Sequence, residues 1–185
     1  MPAVTARHLL RLSEAIDRAN GRVGRVAAWA VLAMALIEIA LVIGRPLGLT
    51  SIWLRESAVY AHVALVLFAA AWTLRNDGHV RVDIFYADAA PRTQALVDLL
   101  GSLVLLVPFM VAILWVSIPY VARSWAVHEG SHDAEGLPFV FLLKSAILLF
   151  AAQMLLQGLS QAIRASLALG GGARKTKRRR ITAPS

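Results

Sequence analysis

Four long apolar blocks, separated by short polar or charged stretches, dominate the hydrophobic pattern of the chain. The blocks cover residues 26–43, 57–74, 96–121 and 137–159, so each has at least 18 residues. A helix of about 20 apolar residues crosses the hydrocarbon core of a bilayer. The pattern therefore predicts an all-α, polytopic membrane protein with four transmembrane helices.

The residues before the first block follow another pattern. Apolar side chains recur there at helical spacing, and charged side chains occupy the other faces: Leu9, Leu12, Ile16 and Val23, against Arg7, Arg11, Glu14, Asp17 and Arg18. This is typical of an amphipathic helix lying in the membrane interface, although a poorly ordered cationic tail is the alternative. We predict an N-terminal amphipathic interfacial helix at 1–22, a four-helix transmembrane domain at 23–165 and a basic, disordered tail at 166–185.

The charge distribution gives the orientation of these helices. Of the 19 Lys and Arg residues, five lie before the first block, three lie at 75–92 and seven lie at 164–180. Basic residues collect on the cytoplasmic side of membrane proteins. We therefore expect a multi-pass protein of the bacterial inner membrane with both termini and the central loop in the cytoplasm. The net charge of +8 then reflects contact with membrane lipids rather than with nucleic acid.

Three ionisable residues fall inside the blocks: Glu38, His62 and Lys144. Counted at about 1.5 Å per residue, all three lie roughly 8–10 Å from the outer ends of their helices. An isolated charge at this depth is unfavourable by a few kcal/mol. We predict an ion pair between Glu38 and Lys144 with His62 as a hydrogen-bond partner. The pair either fixes helix register or forms a proton or cation site.

One short stretch of the sequence matches a motif of metal-dependent enzymes. The stretch His128-Glu129-Gly130-Ser131-His132 matches the H-E-x-x-H zinc motif, which requires a rigid helix. Gly and Ser are weak helix formers, so a solvated outer loop is the favoured interpretation and a zinc protease the disfavoured one. The absence of cysteine excludes disulfides, thiolate metal sites and a Cys nucleophile. A single intramembrane His cannot supply both ligands of a haem. We predict no catalytic, cofactor or metal site.

Several positions, taken together, resemble a known family over roughly residues 20–165. They are Trp53, Glu56 and Tyr60, then Arg75, then His79-Val80-Arg81-Val82-Asp83-Ile84, then Ser131 with Gly136-Leu137-Pro138, then Lys144, and finally Gln157-Gly158-Leu159. In these features the chain resembles the small membrane (Q) subunit of tripartite ATP-independent periplasmic (TRAP) transporters.

This resemblance implies a function without enzyme activity. The small subunit would brace a large, elevator-type membrane subunit, which itself carries the solute, such as an organic acid, with sodium. A periplasmic substrate-binding protein would deliver the solute. The resemblance makes seven residues candidates for partner contact: Trp53, Glu56, Tyr60, Arg75, His79, Arg81 and Asp83. Contact with lipid headgroups is the alternative for the last four.

A second function also remains open on the sequence. A self-contained, proton-coupled exporter of four helices would use a Glu in its first helix, and Glu38 fits that position. Such an exporter needs this carboxylate unpaired, which the predicted pairing with Lys144 argues against.

Overall fold

The computed structural model describes residues 3–49, 51–76, 78, 86 and 89–170. These residues form five α-helices: α1 at Ala3–Gly44, α2 at Ile52–Arg75, α3 at Pro91–Leu100, α4 at Val107–Ala126 and α5 at Val140–Leu169. A π-helical segment at Gly101–Leu106 joins α3 to α4. Four helical stretches are long and apolar enough to cross a membrane: Val4–Leu47, Ile52–Arg75, Pro91–Ala126 and Val140–Leu169. The prediction of an all-α fold with four membrane helices is confirmed.

Local chemistry sets the ends of these helices. The turn after α1 contains a 3-10 helix at Arg45–Leu47 and ends at Gly48, whose φ of 73° is accessible to glycine at little energetic cost. Ser51 then caps α2, because its hydroxyl accepts a hydrogen bond from the Leu54 N–H at 3.3 Å. Pro91 stands in the first turn of α3, where its missing N–H is not needed.

The first helix differs from the prediction. α1 runs without a break over 42 residues, so a separate interfacial helix at 1–22 is wrong. Its buried positions in that region are Ser13, Asp17, Asn20 and Gly21, whereas Leu12 is half exposed. The pattern misled because polar side chains were assigned to solvent, and here they pack against another helix. The predicted tail is also too long, because α5 continues to Leu169; residues 171–185 lie outside the described part of the chain.

A wide turn interrupts the third membrane-crossing stretch. Within Gly101–Leu106 the helix is wound as a π-helix, and the Val107 N–H donates to the Ser102 carbonyl five residues earlier. Pro108 follows immediately and cannot donate to the preceding turn. The irregular winding therefore lies just before Pro108, whereas Pro119 lies within α4.

The last helix organises the bundle. In the described part of the chain, α5 packs against α1, α2, α3 and α4, whereas α1 packs only against α2, α5 and its own 3-10 turn. The buried centre consists of apolar side chains from three helices: Ala71, Met110, Ala151 and Met154. We call the end of the bundle that holds Arg75, Pro91 and Leu169 the terminal end. The opposite end, which holds the turns at 45–51 and 127–139, is the loop end.

Candidate functional site

The loop end contains a group of contacts that joins the start of α2 to the 127–139 turn. The Glu56 carboxylate, in the first turns of α2, accepts hydrogen bonds from the Ser131 hydroxyl and from the Leu137 N–H, the latter at 2.6 Å. The Ser131 N–H in turn donates to the Leu137 carbonyl at 3.0 Å. We call Glu56, Ser131, Gly136 and Leu137 the loop-end clasp. It ties the 127–139 turn to α2.

Gly136 is required by this geometry. A Cβ at position 136 would overlap the Ser131 side chain and would lie 2.7 Å from Glu56 Oε1. Any larger residue would therefore separate the serine from the carboxylate. Three positions on which the family resemblance rests, Glu56, Ser131 and Gly136, thus meet in one place although the chain separates them widely.

Lys144 has a different partner from the predicted one. Its Nζ lies 2.7 Å and 2.5 Å from the two carboxylate oxygens of Glu129, and 4.3 Å from the centre of the Tyr120 ring. The predicted ion pair between Glu38 and Lys144 is therefore wrong. The physical reason is that α5 begins at Val140 rather than 137, which brings Lys144 within reach of the 127–139 turn.

The ion pair affects the protonation of Glu129. The ammonium group of Lys144, hydrogen-bonded to the carboxylate, lowers the pKa of Glu129 below its ordinary value of 4.5. Both side chains are mostly shielded, with exposed fractions of 17% for Lys144 and 26% for Glu129. The pair neutralises a cation at the loop end of α5, so the energetic penalty of placing that cation near the membrane is offset.

The H-E-x-x-H stretch has a structural explanation. The Glu129 N–H bonds to the Ser124 carbonyl, and the His128 N–H bonds to the Trp125 carbonyl. These two bonds form the Schellman motif that ends many helices, and His128, with φ of 46°, takes the left-handed position usually held by glycine. The stretch is therefore the end of α4 and a turn. No group of three potential metal ligands occurs among the described residues.

The terminal end contains a polar contact between α1 and α5 that the sequence analysis missed. We call it the polar seam; its members are Ser13, Asp17, Asn20, Gln157, Ser160 and Arg164. Asp17 Oδ1 accepts from Ser160 Oγ at 2.8 Å and from Gln157 Nε2 at 3.1 Å. Asp17 also forms an ion pair with Arg164. The carboxylate thus has three donors on the facing helix.

The rest of the seam extends this network in both directions. Asn20 Nδ2 donates to Gln157 Oε1 at 2.9 Å. The Ser13 and Ser160 hydroxyls lie 2.7 Å apart; because the Ser160 proton is directed to Asp17, Ser13 is the donor in that bond. Gln157 and Ser160 are completely buried. A chain of satisfied hydrogen bonds therefore fixes the register of α1 against α5.

Glycines allow α1 to lie close to α2 as well. A Cβ on Gly24 would overlap the Trp72 side chain, and a Cβ on Gly21 would lie 2.5 Å from Arg75 Nη1. The two backbones can approach only because these positions carry no side chain. Arg75, a predicted partner-contact residue, thus lies over α1 within its own chain.

A cavity of about 440 Å³ also opens at the terminal end. Leu74, Val97 and Leu106 supply much of its apolar wall, and Tyr86 and Asp98 supply polar groups. The Tyr86 hydroxyl lies 2.9 Å from each oxygen of the Asp98 carboxylate, so these two groups bind each other. The cavity lies between α2, α3, the π-helical segment and α5.

The remaining predicted residues are dispersed. Glu38 and His62 are both exposed on their helices and form no cluster with Lys144. Trp53 is 53% exposed, at the loop end. The Tyr60 hydroxyl is buried and has no hydrogen-bond partner among the described residues. The predicted contact residues His79, Arg81 and Asp83 lie outside the described part of the chain.

Comparison with known proteins agrees with the resemblance. The family model of the DctQ component of tripartite ATP-independent periplasmic transporters matches residues 34–168. This range includes the loop-end clasp and the α5 side of the polar seam, but not Ser13, Asp17 or Asn20. Searches of curated proteins and of solved structures gave no match. Since the matched range covers most of the chain and all or part of each of its four membrane-crossing helices, the chain belongs to the DctQ family, a component of TRAP transporters.

Proposed function

We propose that this chain is the small scaffold subunit of a sodium-coupled TRAP transporter and that it braces the large, elevator-type membrane subunit. The observation that carries the proposal is the family match over residues 34–168. In this arrangement the large subunit binds sodium and the solute, an organic acid or a similar molecule. A periplasmic binding protein delivers the solute, and the small subunit holds the fixed part of the large subunit in place.

The packing of the bundle supports a static role. Its centre is filled by Ala71, Met110, Ala151 and Met154, which offer no polar group to a solute. The polar side chains buried between α1 and α5 satisfy one another in the polar seam. A bundle held in this way is suited to resist deformation while a neighbouring subunit moves.

The orientation belongs to the same proposal. The terminal end carries Arg7, Arg11, Arg18, Arg22 and Arg25 on α1 and Arg164 on α5. With this end in the cytoplasm of a bacterium, the arginines lie among anionic lipid headgroups, and the loop-end clasp lies on the periplasmic side. Cysteine substitutions at Ala134 and Arg18 test this: only position 134 should react with a membrane-impermeant thiol reagent added to intact spheroplasts.

The function itself is tested by reconstitution. Proteoliposomes that contain the large subunit, this chain and the binding protein loaded with a labelled solute should show uptake driven by an inward sodium gradient. Vesicles with this chain alone should show none. Omission of this chain should reduce uptake by the large subunit. Full uptake without this chain would contradict the scaffold role, and uptake by this chain alone would contradict the proposal as a whole.

The exporter alternative depends on Glu38. Glu38 has no partner among the described residues, as an exporter would require, but it lies on the exposed surface of α1, away from the buried centre of the bundle. A proton-coupled exporter would release a labelled cation from vesicles under an imposed proton gradient with this chain alone, and Glu38→Gln would abolish that release. We expect no release from either protein.

A further inference from the structure

Glu38 belongs to an exposed stripe on α1. Val31, Ala35, Glu38 and Val42 follow one another at intervals of four, three and four residues, so they lie on one side of the helix. All four are exposed; Val31 is 47% and Val42 is 70% exposed. We call these residues the Glu38 stripe.

The carboxylate in this stripe lies well inside the apolar part of α1. Glu38 precedes Gly44, the last residue of α1, by six residues, or about 9 Å along the axis. Its short side chain cannot bridge that distance to the headgroups. An ionised carboxylate in contact with lipid at this depth is unfavourable by a few kcal/mol.

No residue in the described part of the chain compensates this charge. The Lys144 ammonium binds Glu129, and the Arg164 guanidinium binds Asp17. Gly24 faces Trp72 across the antiparallel α1–α2 pair, so the register places His62 about one helical turn from Glu38. No hydrogen bond joins Glu38 to His62 or to any other described residue.

A neighbouring side of α1 provides a contrast. Leu32, Leu36, Ile39 and Ile43 form a second exposed stripe with the same spacing and depth, and they are 50%, 58%, 54% and 62% exposed. We call it the leucine stripe. It carries only large apolar side chains, which suit the acyl chains of lipids. The two stripes are centred about 100° apart around the helix.

We propose that the Glu38 stripe is the docking surface for one transmembrane helix of the large subunit, and that this helix places a Lys or Arg side chain against Glu38. The inference rests on the proposed function and adds a surface, a residue and the charge of the partner. A basic side chain removes the penalty of the lipid-facing carboxylate, and Ala35 allows a helix to approach closely, because Val31 and Val42 beside it are smaller than the side chains of the leucine stripe. The leucine stripe remains in contact with lipid.

Photo-crosslinking in the assembled complex tests the surface. The chain, with benzoylphenylalanine at position 35 or 42, is co-expressed with the tagged large subunit of its transporter and irradiated in membranes. Matched controls carry the probe at 36 or 43, one residue further along and in the leucine stripe. We expect covalent adducts with the large subunit from 35 and 42 and none from 36 and 43.

Charge substitutions test the partner's chemistry. Glu38→Gln should reduce the amount of large subunit recovered with the chain about 3- to 20-fold, the range expected for the loss of one interhelical hydrogen bond. Glu38→Lys should reduce recovery further, because two cations would meet. Glu14→Gln, which removes a negative charge from the exposed part of α1 at the terminal end, should leave recovery unchanged. Each variant alone must elute as a single species with the melting temperature of the original protein.

The outcomes separate this inference from the proposed function. If the chain co-purifies with the large subunit but crosslinks only from 36 and 43, or from neither pair, the docking surface is wrong and the scaffold function stands. Adducts between two copies of this chain from 35 and 42 would also overturn the inference, as would recovery with Glu38→Lys equal to that of the original protein. If the two subunits do not co-purify at all, the proposed function fails and the inference fails with it.

Discussion

Asp17 is the centre of the polar seam. Its replacement by alanine should destabilise the bundle more than the removal of a charged side chain from the exposed face of α1. The substitution removes the acceptor of three donors on α5: Ser160 at 2.8 Å, Gln157 at 3.1 Å and the Arg164 guanidinium. Asp17 is 8% exposed, so water cannot easily replace the lost oxygens.

The magnitude follows from how well each donor is shielded. The Gln157 side chain is completely buried, and an unsatisfied buried donor costs about 1–3 kcal/mol. Ser160 loses a hydrogen bond to a charged acceptor, but its hydroxyl can turn to the Ser13 carbonyl, which lies 3.3 Å away. Arg164 is 39% exposed, so water screens its ion pair and its loss adds little. We expect Asp17→Ala to lower the free energy of unfolding by about 2–4 kcal/mol in total.

Thermal unfolding in a mild detergent, followed by tryptophan fluorescence, measures this loss. Glu14→Ala is the matched control, since it removes the same charge three residues away at an exposed position. Its effect should stay within about 0.5 kcal/mol. Asp17→Asn keeps one oxygen to accept from Ser160 and Gln157, and should fall between the two alanine variants.

Equal melting temperatures for Asp17→Ala and Glu14→Ala would refute the reasoning. Such a result would mean that α1 and α5 do not meet at these residues. A second measurement does not depend on the melting temperature in detergent. An added protease should cleave within the first 20 residues faster in Asp17→Ala than in Glu14→Ala, because α1 would detach from α5.

Three further predictions concern other contacts. Gly24→Ala should lower stability by about 1–3 kcal/mol, because its methyl group would overlap a tryptophan, whereas Gly101→Ala, with open space around its Cβ, should not; equal effects in thermal unfolding would contradict the close α1–α2 approach. Glu129→Gln should melt below the original protein at pH 7. The bond to Lys144 lowers the pKa of Glu129 when folded, so its stabilisation is present above 4.5 and is lost as the pH falls through that lower value. The difference in melting temperature should therefore disappear in acid, and a difference independent of pH would argue against the pair. His128→Gly should be neutral or stabilising by up to about 1 kcal/mol, and His128→Val destabilising by about 1–2 kcal/mol, because a left-handed backbone suits glycine and not a β-branched residue; the reverse order in thermal unfolding would exclude the helix-ending role.

The sequence predicts the membrane helices well because hydrophobic length is a direct physical requirement of the bilayer. It predicts the clasp in part: the resemblance selects Glu56, Ser131 and Gly136 one by one, but only the fold shows that they touch. Depth along a helix can be counted from residue numbers, whereas the direction of a side chain around the helix cannot. Glu38 and Lys144 were matched in depth and proved to lie on different surfaces.

The polar seam shows a second reason why part of the site could not be predicted from the sequence. Ser13, Asp17 and Asn20 look like the solvated side of an amphipathic helix, because hydrophobic patterning assigns polar residues to water. A signal was present in the sequence nonetheless. Gln157, Ser160 and Arg164 repeat at three- and four-residue spacing near the other end of the chain. Two polar stripes with complementary hydrogen-bonding groups, on helices that run antiparallel, predict a buried contact between those helices. Each stripe alone looks like a solvent-exposed face.

The central position of α5 has a consequence for the order of assembly in the cell. The ribosome produces this helix after α1, α2, α3 and α4, and it is the one that packs against all four of them. Until it is inserted, the glycine-lined hairpin of α1 and α2 can form, but the buried centre that brings Ala71 of α2 together with Met110 of α4 lacks its α5 residues, Ala151 and Met154. The first four helices therefore remain incompletely packed, in the membrane or bound to insertion factors, until synthesis has passed residue 169. A nascent chain arrested before α5 should be a substrate for membrane proteases, whereas a chain arrested soon after it should persist.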